Sequence, residues 1–351
     1  MSSKFFFLVN NKRNQSVIVF AKFLLSGYGG AEKSTIELAS YVEESFEAKI
    51  KLLGVDALLR GAQSNFSPSL SSTMSIQELG IQISLPFSPL WEFLLNRNNI
   101  IKQGSSYSSD LIWTYGIFGP AFIRKSKAST VYFIRSETDL GLFENYHKGI
   151  NRFLYKAKMF IELVPRLVLQ RDIRKAMLSS TVVANSKYMA SLCKEIYDVN
   201  AHVIYPNVDV SPILTSTTFI NGARNKIVFV GDGLVKGEAI FKKLANHFQE
   251  EEFVVFTRNI SRAIIKGNIE YRPWVNDQSE IFGMTKLLII PSQWREAYSR
   301  LAREAYLLKV PVIASNVGGI PEALEHQESF LVDDYKNFKQ WISSIEVFLN
   351  D

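Results

Sequence analysis

Short β-branched runs alternate with amphipathic helical segments along this chain, and the alternation breaks once and then restarts. That pattern restricts the fold more than any other feature, because successive parallel strands need a crossover helix between them. In the first half, strands are expected at residues 16–21, 48–55, 80–84, 110–115, 130–134, 181–184 and 201–204, with helices at 31–44 and 187–197. The break falls between residues 209 and 224, where Ser211-Pro212-Ile213-Leu214-Thr215-Ser216 runs on to Asn221-Gly222 and reads as a linker. The pattern then resumes, with strands at 226–230, 252–257, 269–272 and 286–290 and helices at 237–249, 279–284 and 341–349. The expectation is an α/β protein of two domains, residues 1–210 and 222–335, followed by a terminal helix in 336–351. A chain of 351 residues can bury two cores of ordinary size.

Hydrophobic residues make up 47% of the chain and charged ones 21%, which excludes a disordered chain. The single cysteine, Cys193, rules out a disulfide framework and reads as a buried, inert thiol. His147, His202, His247 and His326 have no metal-ligand spacing, and Asp333-Asp334 reads as a solvated turn, so no metal is expected. The apolar run at residues 5–9 is too short for a secretory signal and no run approaches a spanning helix, so a soluble, cytoplasmic chain is expected. Net charge is +6 and the pI about 9.1, a balance that favours anionic partners. The basic residues gather within 146–175, where Lys148, Arg152, Arg166, Arg171, Arg174 and Lys175 interleave with Phe153, Phe160, Ile161 and Leu163. Such a stretch suits a helix with one buried and one solvated face, and it also suits peripheral contact with an anionic membrane at its inner face. No zinc, helix-turn-helix or RNA-recognition signature accompanies the charge, so nucleic acid is not an expected partner. A low-complexity run, residues 61–75, reads as a surface loop.

The strongest chemical signal follows the strand at 286–290. Pro291-Ser292-Gln293-Trp294-Arg295-Glu296-Ala297-Tyr298-Ser299-Arg300-Leu301 opens a helix that carries Glu304, with seven residues between the two glutamates. Val310-Pro311-Val312-Ile313 and Gly318-Gly319-Ile320-Pro321-Glu322 come next. A strand feeding a helix N-terminus is where open α/β sheets hold phosphorylated ligands, and carboxylates there match hydroxyls better than phosphate. Two glutamates at that distance are also what a charged loop and an amphipathic helix supply. With its flanking segments, however, the block resembles the donor-site signature of the retaining GT-B glycosyltransferases of family 4. The resemblance implies Glu296 at the hydroxyls of the donor sugar, Glu304 at the nucleotide ribose, and the backbone amides of Ser299, Arg300 and Leu301 at the diphosphate.

Other segments extend the resemblance. Gly231-Asp232-Gly233-Leu234-Val235-Lys236-Gly237 lies between a strand and a helix, but its spacing misses the dinucleotide fingerprint by one residue and no acid closes the next strand. In the family this turn holds the diphosphate. Gly231 and Lys236 fit, whereas Asp232 stands where an arginine is expected, leaving Arg258, Arg295 or Arg300 to compensate. Trp274, in Arg272-Pro273-Trp274, falls at the turn implied to cradle the nucleobase. Gly27-Tyr28-Gly29-Gly30-Ala31-Glu32-Lys33-Ser34 nearly spells a P-loop, yet Glu32 replaces the second glycine and would repel phosphate. It resembles the Gly-Gly-Ala-Glu loop of the same family, which implies Gly29, Gly30 and Glu32 on the acceptor and diphosphate side. Arg135 ends the strand at 130–134, where the family has a functionally important histidine.

The resemblance implies a GT-B fold of two Rossmann-like domains with an interdomain cleft, the terminal helix in 336–351 crossing back to the first domain. It also implies metal-independent, retaining transfer of a sugar from a nucleotide diphosphate sugar to a glycan, polysaccharide or lipid-linked saccharide, with Glu296, Lys236 and Arg135 at the chemistry. No cofactor beyond the donor itself is expected. Two alternatives stand beside this reading: a non-catalytic GT-B chain that binds nucleotide sugar or supports an active partner, and an NAD-dependent oxidoreductase.

Overall fold

The computed structural model describes residues 14–22, 24, 30–55, 74–81, 83, 85, 88–143, 160–327 and 330–350. Gly29, the low-complexity residues 61–73 and the first part of the basic stretch, 146–159, lie outside the described residues. The chain divides into two compact units, residues 1–207 and 208–351, each built on its own sheet.

The first unit contains strands β1 (Ser16–Phe20), β2 (Lys49–Gly54), β3 (Ser75–Glu78), β4 (Leu111–Thr114), β5 (Ser129–Ile134), β6 (Thr181–Ala184) and β7 (His202–Val203). They pair in parallel in the order β3-β2-β1-β4-β5-β6-β7. Helices α1 (Gly30–Phe46), α2 (Pro89–Ser106), α3 (Gly119–Ile123), α4 (Leu163–Ser179) and α5 (Lys187–Tyr197) supply its crossovers. Central strands covered on both faces need apolar side chains at every position, which is why β1 and β4 read as unbroken apolar runs, with Val17, Val19, Phe20, Ile112 and Trp113 buried. Ser186 caps α5 by accepting from Met189 N at 3.1 Å. Cys193 on that helix is buried, and burial pushes its thiol up to about 11, as the inert-thiol reading requires.

Of the strand expected at 80–84, the described residues 80, 81 and 83 are not in a strand. The edge strand is Ser75–Glu78, whose side chains are exposed or half-buried and so carry no apolar signal. Ile83 instead pairs with a side chain: Asn96 on α2 accepts from Ile83 N at 3.1 Å and donates to Ile83 O at 2.6 Å, replacing a ladder partner.

In the second unit the expected linker is folded. Residues 209–224 form α6 (Ser211–Leu214) and α7 (Thr217–Ile220), which bury Ile213 and Phe219 in the unit's core. Strands β8 (Lys226–Val230), β9 (Phe253–Thr257), β10 (Ile264–Lys266), β11 (Ile269–Pro273), β12 (Thr285–Ile290), β13 (Val312–Ser315) and β14 (Leu331–Val332) follow. Their order is β10-β11-β9-β8-β12-β13-β14, parallel except for the β10–β11 edge. Helices α8 (Glu238–His247), α9 (Gln278–Met284), α10 (Arg300–Leu307), α11 (Ile320–Ala323) and α12 (Phe338–Asn350) lie between and after them. The terminal helix α12, expected to return to the first domain, buries Trp341 and Ile345 in the core of its own unit beside Phe241 and Leu244. The Trp341 indole donates to Tyr335 O at 2.9 Å, so even its polar edge is satisfied there.

Candidate functional site

Each sheet reverses its strand order at one point, between β1 and β4 in the first unit and between β8 and β12 in the second. Open α/β sheets bind ligands outside the carboxyl ends of the strands at such a reversal. In the second unit the turns leaving β8 and β12 therefore meet there, and they carry Lys236 and Glu296.

Lys236 Nζ donates to Glu296 Oε1 at 2.8 Å across 60 positions of sequence, and lies 5.5 Å from the centre of the Trp294 ring. Ser292 Oγ donates to the same carboxylate oxygen at 2.9 Å. Burial by itself pushes the Glu296 carboxyl up. The charge and hydrogen bond of Lys236, with the Ser292 and Ser299 hydroxyls, more than offset it and hold the carboxyl below its usual range. Backbone geometry makes this approach feasible. Gly237 has φ +86, and a Cβ there would overlap the carbonyl oxygen of Pro291, so only glycine lets the β8 turn close against the β12 exit. Gln293 N donating to Val235 O at 2.8 Å ties the two turns together. Behind them, Gly318 has φ +61 with no room for a Cβ beside Glu296 O, and Gly319 N donates to that oxygen at 2.7 Å.

Ser299 caps α10, its side chain accepting from Ala302 N. Arg300 and Leu301 open the helix, so their amides belong to the end whose donors lack intrahelical partners. Glu304 lies one turn on, buried, with Arg300 Nη2 at 3.9 Å. Asp232 is engaged away from this pair: Thr257 Oγ1, Arg258 N at 3.2 Å and Asn259 Nδ2 at 3.1 Å all donate to it, so it anchors the turn leaving β9. The guanidinium of Arg258 stacks on the Trp274 ring at 4.3 Å, and Trp274 is 37% exposed. Arg295 is exposed on the loop.

At the reversal in the first unit, Gly30 opens α1 and Glu32 lies in its first turn. Arg135 Nη1 donates to Ala31 O at 3.0 Å and to Ser34 Oγ at 2.6 Å, and its guanidinium stacks over Phe133 at 4.7 Å. Burial pushes the Glu32 carboxyl up against its own backbone amide and the charge of Arg135, with the Tyr115 hydroxyl 3.5 Å away. Asp139, fully buried, accepts from Gly116 N and Arg135 N at 2.7 Å and from Ser136 N at 2.8 Å. It fixes both strand exits that carry Tyr115 and Arg135. A small cavity in this unit is lined by Ser34, Glu37, Tyr41, Arg135, Asn185 and Tyr205.

Sequence reasoning thus named both members of the Lys236–Glu296 pair without foreseeing that they touch. It missed Ser292, Trp294, Tyr115 and Asp139. Asp139 had a legible signal, because Ser136-Glu137-Thr138-Asp139 has the spacing of a capping box. Ser292 and Trp294 had none beyond their neighbourhood to Glu296.

Two α/β units, each with a parallel sheet reversed at one point, define the GT-B class of fold. Known structures agree: the chain superposes with TM-score 0.66 on HepE of Anabaena in complex with UDP and glucose, at 17% identity, over 96% of this chain and 90% of that one. WaaG, a glycosyltransferase involved in lipopolysaccharide biosynthesis, gives TM-score 0.67 at 12% identity over 96% and 90%. Residues 218–351, most of the second unit, match the family model described as Glycosyl transferases group 1. Among curated relatives, spore coat protein SA of Bacillus subtilis is 32% identical over 75 residues, 21% of this chain and 20% of that protein. The capsular polysaccharide biosynthesis glycosyltransferase CapM of Staphylococcus aureus is 26% identical over 106 residues, 30% of this chain and 26% of CapM. The aligned stretches therefore span about a fifth to a quarter of these relatives' lengths.

Proposed function

We propose that this protein moves a sugar from a nucleoside diphosphate sugar to an acceptor hydroxyl, with retention at the anomeric carbon and without a metal ion. The observation that carries this reading is the Lys236–Glu296 pair at the strand reversal of the second unit. An accessible cation bound to a buried carboxylate is suited to exchange partners: a diphosphate takes Lys236, and sugar hydroxyls donate to Glu296. Glu304 takes the ribose, Gly231 lets the turn approach the diphosphate, and Trp274 walls the base. As the bond from the anomeric carbon to the diphosphate oxygen breaks, its electron pair leaves with the phosphate. Lys236 and the amides of Ser299, Arg300 and Leu301 stabilise the charge that develops. The acceptor oxygen bonds to the anomeric carbon on the same face, and its proton passes to the departing phosphate. Gly29, Gly30, Glu32 and Arg135 belong to the acceptor side. The acceptor class that suits the family is a glycan or lipid-linked saccharide, and HepE, crystallised with UDP and with UDP-glucose, makes uridine diphosphate sugars the first donors to try.

Thermal-shift measurement against UDP, GDP, ADP and their sugars tests the donor site. One nucleotide series is expected to stabilise the wild type, and Lys236→Ala to abolish the shift; a wild type stabilised by none of them ends this reading. A second reading, a non-catalytic nucleotide-sugar-binding chain, is favoured by Asp232 and Arg135, whose side chains hold local structure where the family pattern has other residues. Donor hydrolysis or transfer by the wild type, lost in Glu296→Gln, decides against it.

A further inference from the structure

The exposed side of α4 joins apolar and basic side chains. Leu163, Val164, Leu167 and Leu178 are 46%, 57%, 56% and 71% exposed, and Phe160 and Ile161, just before the helix, are 80% and 61% exposed. Arg171, Arg174 and Lys175 are exposed between Leu167 and Leu178. At 100° per residue, positions 163, 164, 167, 171, 174, 175 and 178 fall in one stripe, about 22 Å long at 1.5 Å per residue. The helix cannot turn this stripe inward. Its opposite face buries Leu169, Ile173, Ala176 and Met177. Asp172, buried on that face, is held by Arg97 of α2 at 2.6 and 3.0 Å and by Arg124 after α3. The rotational phase of α4 is thereby locked, and the apolar outer side chains are a fixed feature of the surface.

We propose that this face docks on an anionic lipid bilayer, with the apolar end entering the headgroup–acyl boundary and the three basic residues reaching lipid phosphates. Charge selects this occupant. Among the described residues of 160–179 the two acids, Glu162 and Asp172, are both buried, so the exposed stripe is apolar and cationic throughout. A second copy of the chain paired through the same stripe would set arginines and lysines against each other or against leucines, with no acid to meet them. An anionic bilayer matches both halves at once. This inference is independent of the proposed transfer reaction.

Flotation of the full chain with vesicles tests it. Wild type is expected to float with phosphatidylcholine vesicles in which a third of the lipid is phosphatidylglycerol, and to stay unbound with phosphatidylcholine alone. Arg171→Glu with Arg174→Glu should weaken binding by more than about tenfold, as should raised salt. Val164→Ser with Leu167→Ser should weaken it comparably while thermal stability and nucleotide-induced shifts stay as in wild type. Wild type that does not float with anionic vesicles overturns the proposal, as do variants that bind like wild type. So does self-association, seen by sedimentation, that Val164→Ser with Leu167→Ser abolishes while vesicle binding is unaffected.

Discussion

The two units share the order of their central parallel strands but use its reversal differently. In the second, the turns leaving β8 and β12 are lined by glycines and meet in an ion pair between an accessible lysine and a buried glutamate. In the first, the corresponding cation, Arg135, is spent on its own scaffold, donating to Ala31 O and Ser34 Oγ at the start of α1. One edge pairs its charges with each other across two turns; the other uses its charge to position a helix. Similar topology therefore carries an ion pair between exit turns in one unit and a helix-anchoring arginine in the other, and side chains rather than strand order make the difference.

The bluntest way to break the comparison is to unfold one half. Trp341→Ala should cost about 3–5 kcal/mol, because a fully buried indole and its hydrogen bond are lost from the second unit. Calorimetry should then separate a low-melting transition, still shifted by donor nucleotide, from an unchanged one. Next in size is Lys236→Ala, expected to lower transfer by roughly a hundredfold to a thousandfold in kcat, the range found for removing one group that stabilises developing negative charge. Arg135→Met should cost about 1–3 kcal/mol of stability through the unsatisfied groups it leaves at α1, read by denaturant titration. It should leave the nucleotide-induced thermal shift intact while reducing transfer to acceptor.

Acid should separate the units by sign. Glu296 is held below its usual range, so its contribution is full at neutral pH and is lost as pH falls through the lowered folded value. Asp139 behaves oppositely: burial raises it despite the amides of Arg135, Gly116 and Ser136, so its contribution is present below its unfolded value and lost as pH rises through the raised one. Urea melts across pH should show Glu296→Gln flattening the acid loss and Asp139→Asn flattening the opposite slope. The smallest effect belongs to Asp232→Asn, expected to change stability by less than about 1 kcal/mol, since asparagine can still accept from the β9 turn. Donor affinity, read by calorimetric titration, should stay level or rise as a negative charge leaves the site.

Much of the architecture was legible because strand and helix periodicities are local. The apolar runs at 111–114, 226–230 and 286–290 read as strands and form β4, β8 and nearly all of β12. Edges and joints were harder. Ser75-Ile76-Gln77-Glu78 has no apolar pattern because its side chains are exposed or half-buried, and within the segment expected as a strand at 80–84 Ile83 pairs with the Asn96 side chain of α2 instead. Residues 209–224 looked like a linker because two buried side chains, Ile213 and Phe219, are too few to raise a signal among serines and threonines.

By itself the sequence determined that this chain is α/β in two parts and that residues 218–351 carry the glycosyl transferases group 1 pattern, since both follow from local order. Tertiary structure decided which distant residues meet. Lys236 and Glu296 touch because β8 and β12 lie side by side in a parallel sheet, and Gly237 lets their exit turns close. Asp232 was turned to a scaffold role by the β9 exit, Arg135 by the first turn of α1, and Trp341 was drawn into the core of its own unit. Each of these depends on which strands become neighbours, which is a property of the folded sheet and of no segment within it.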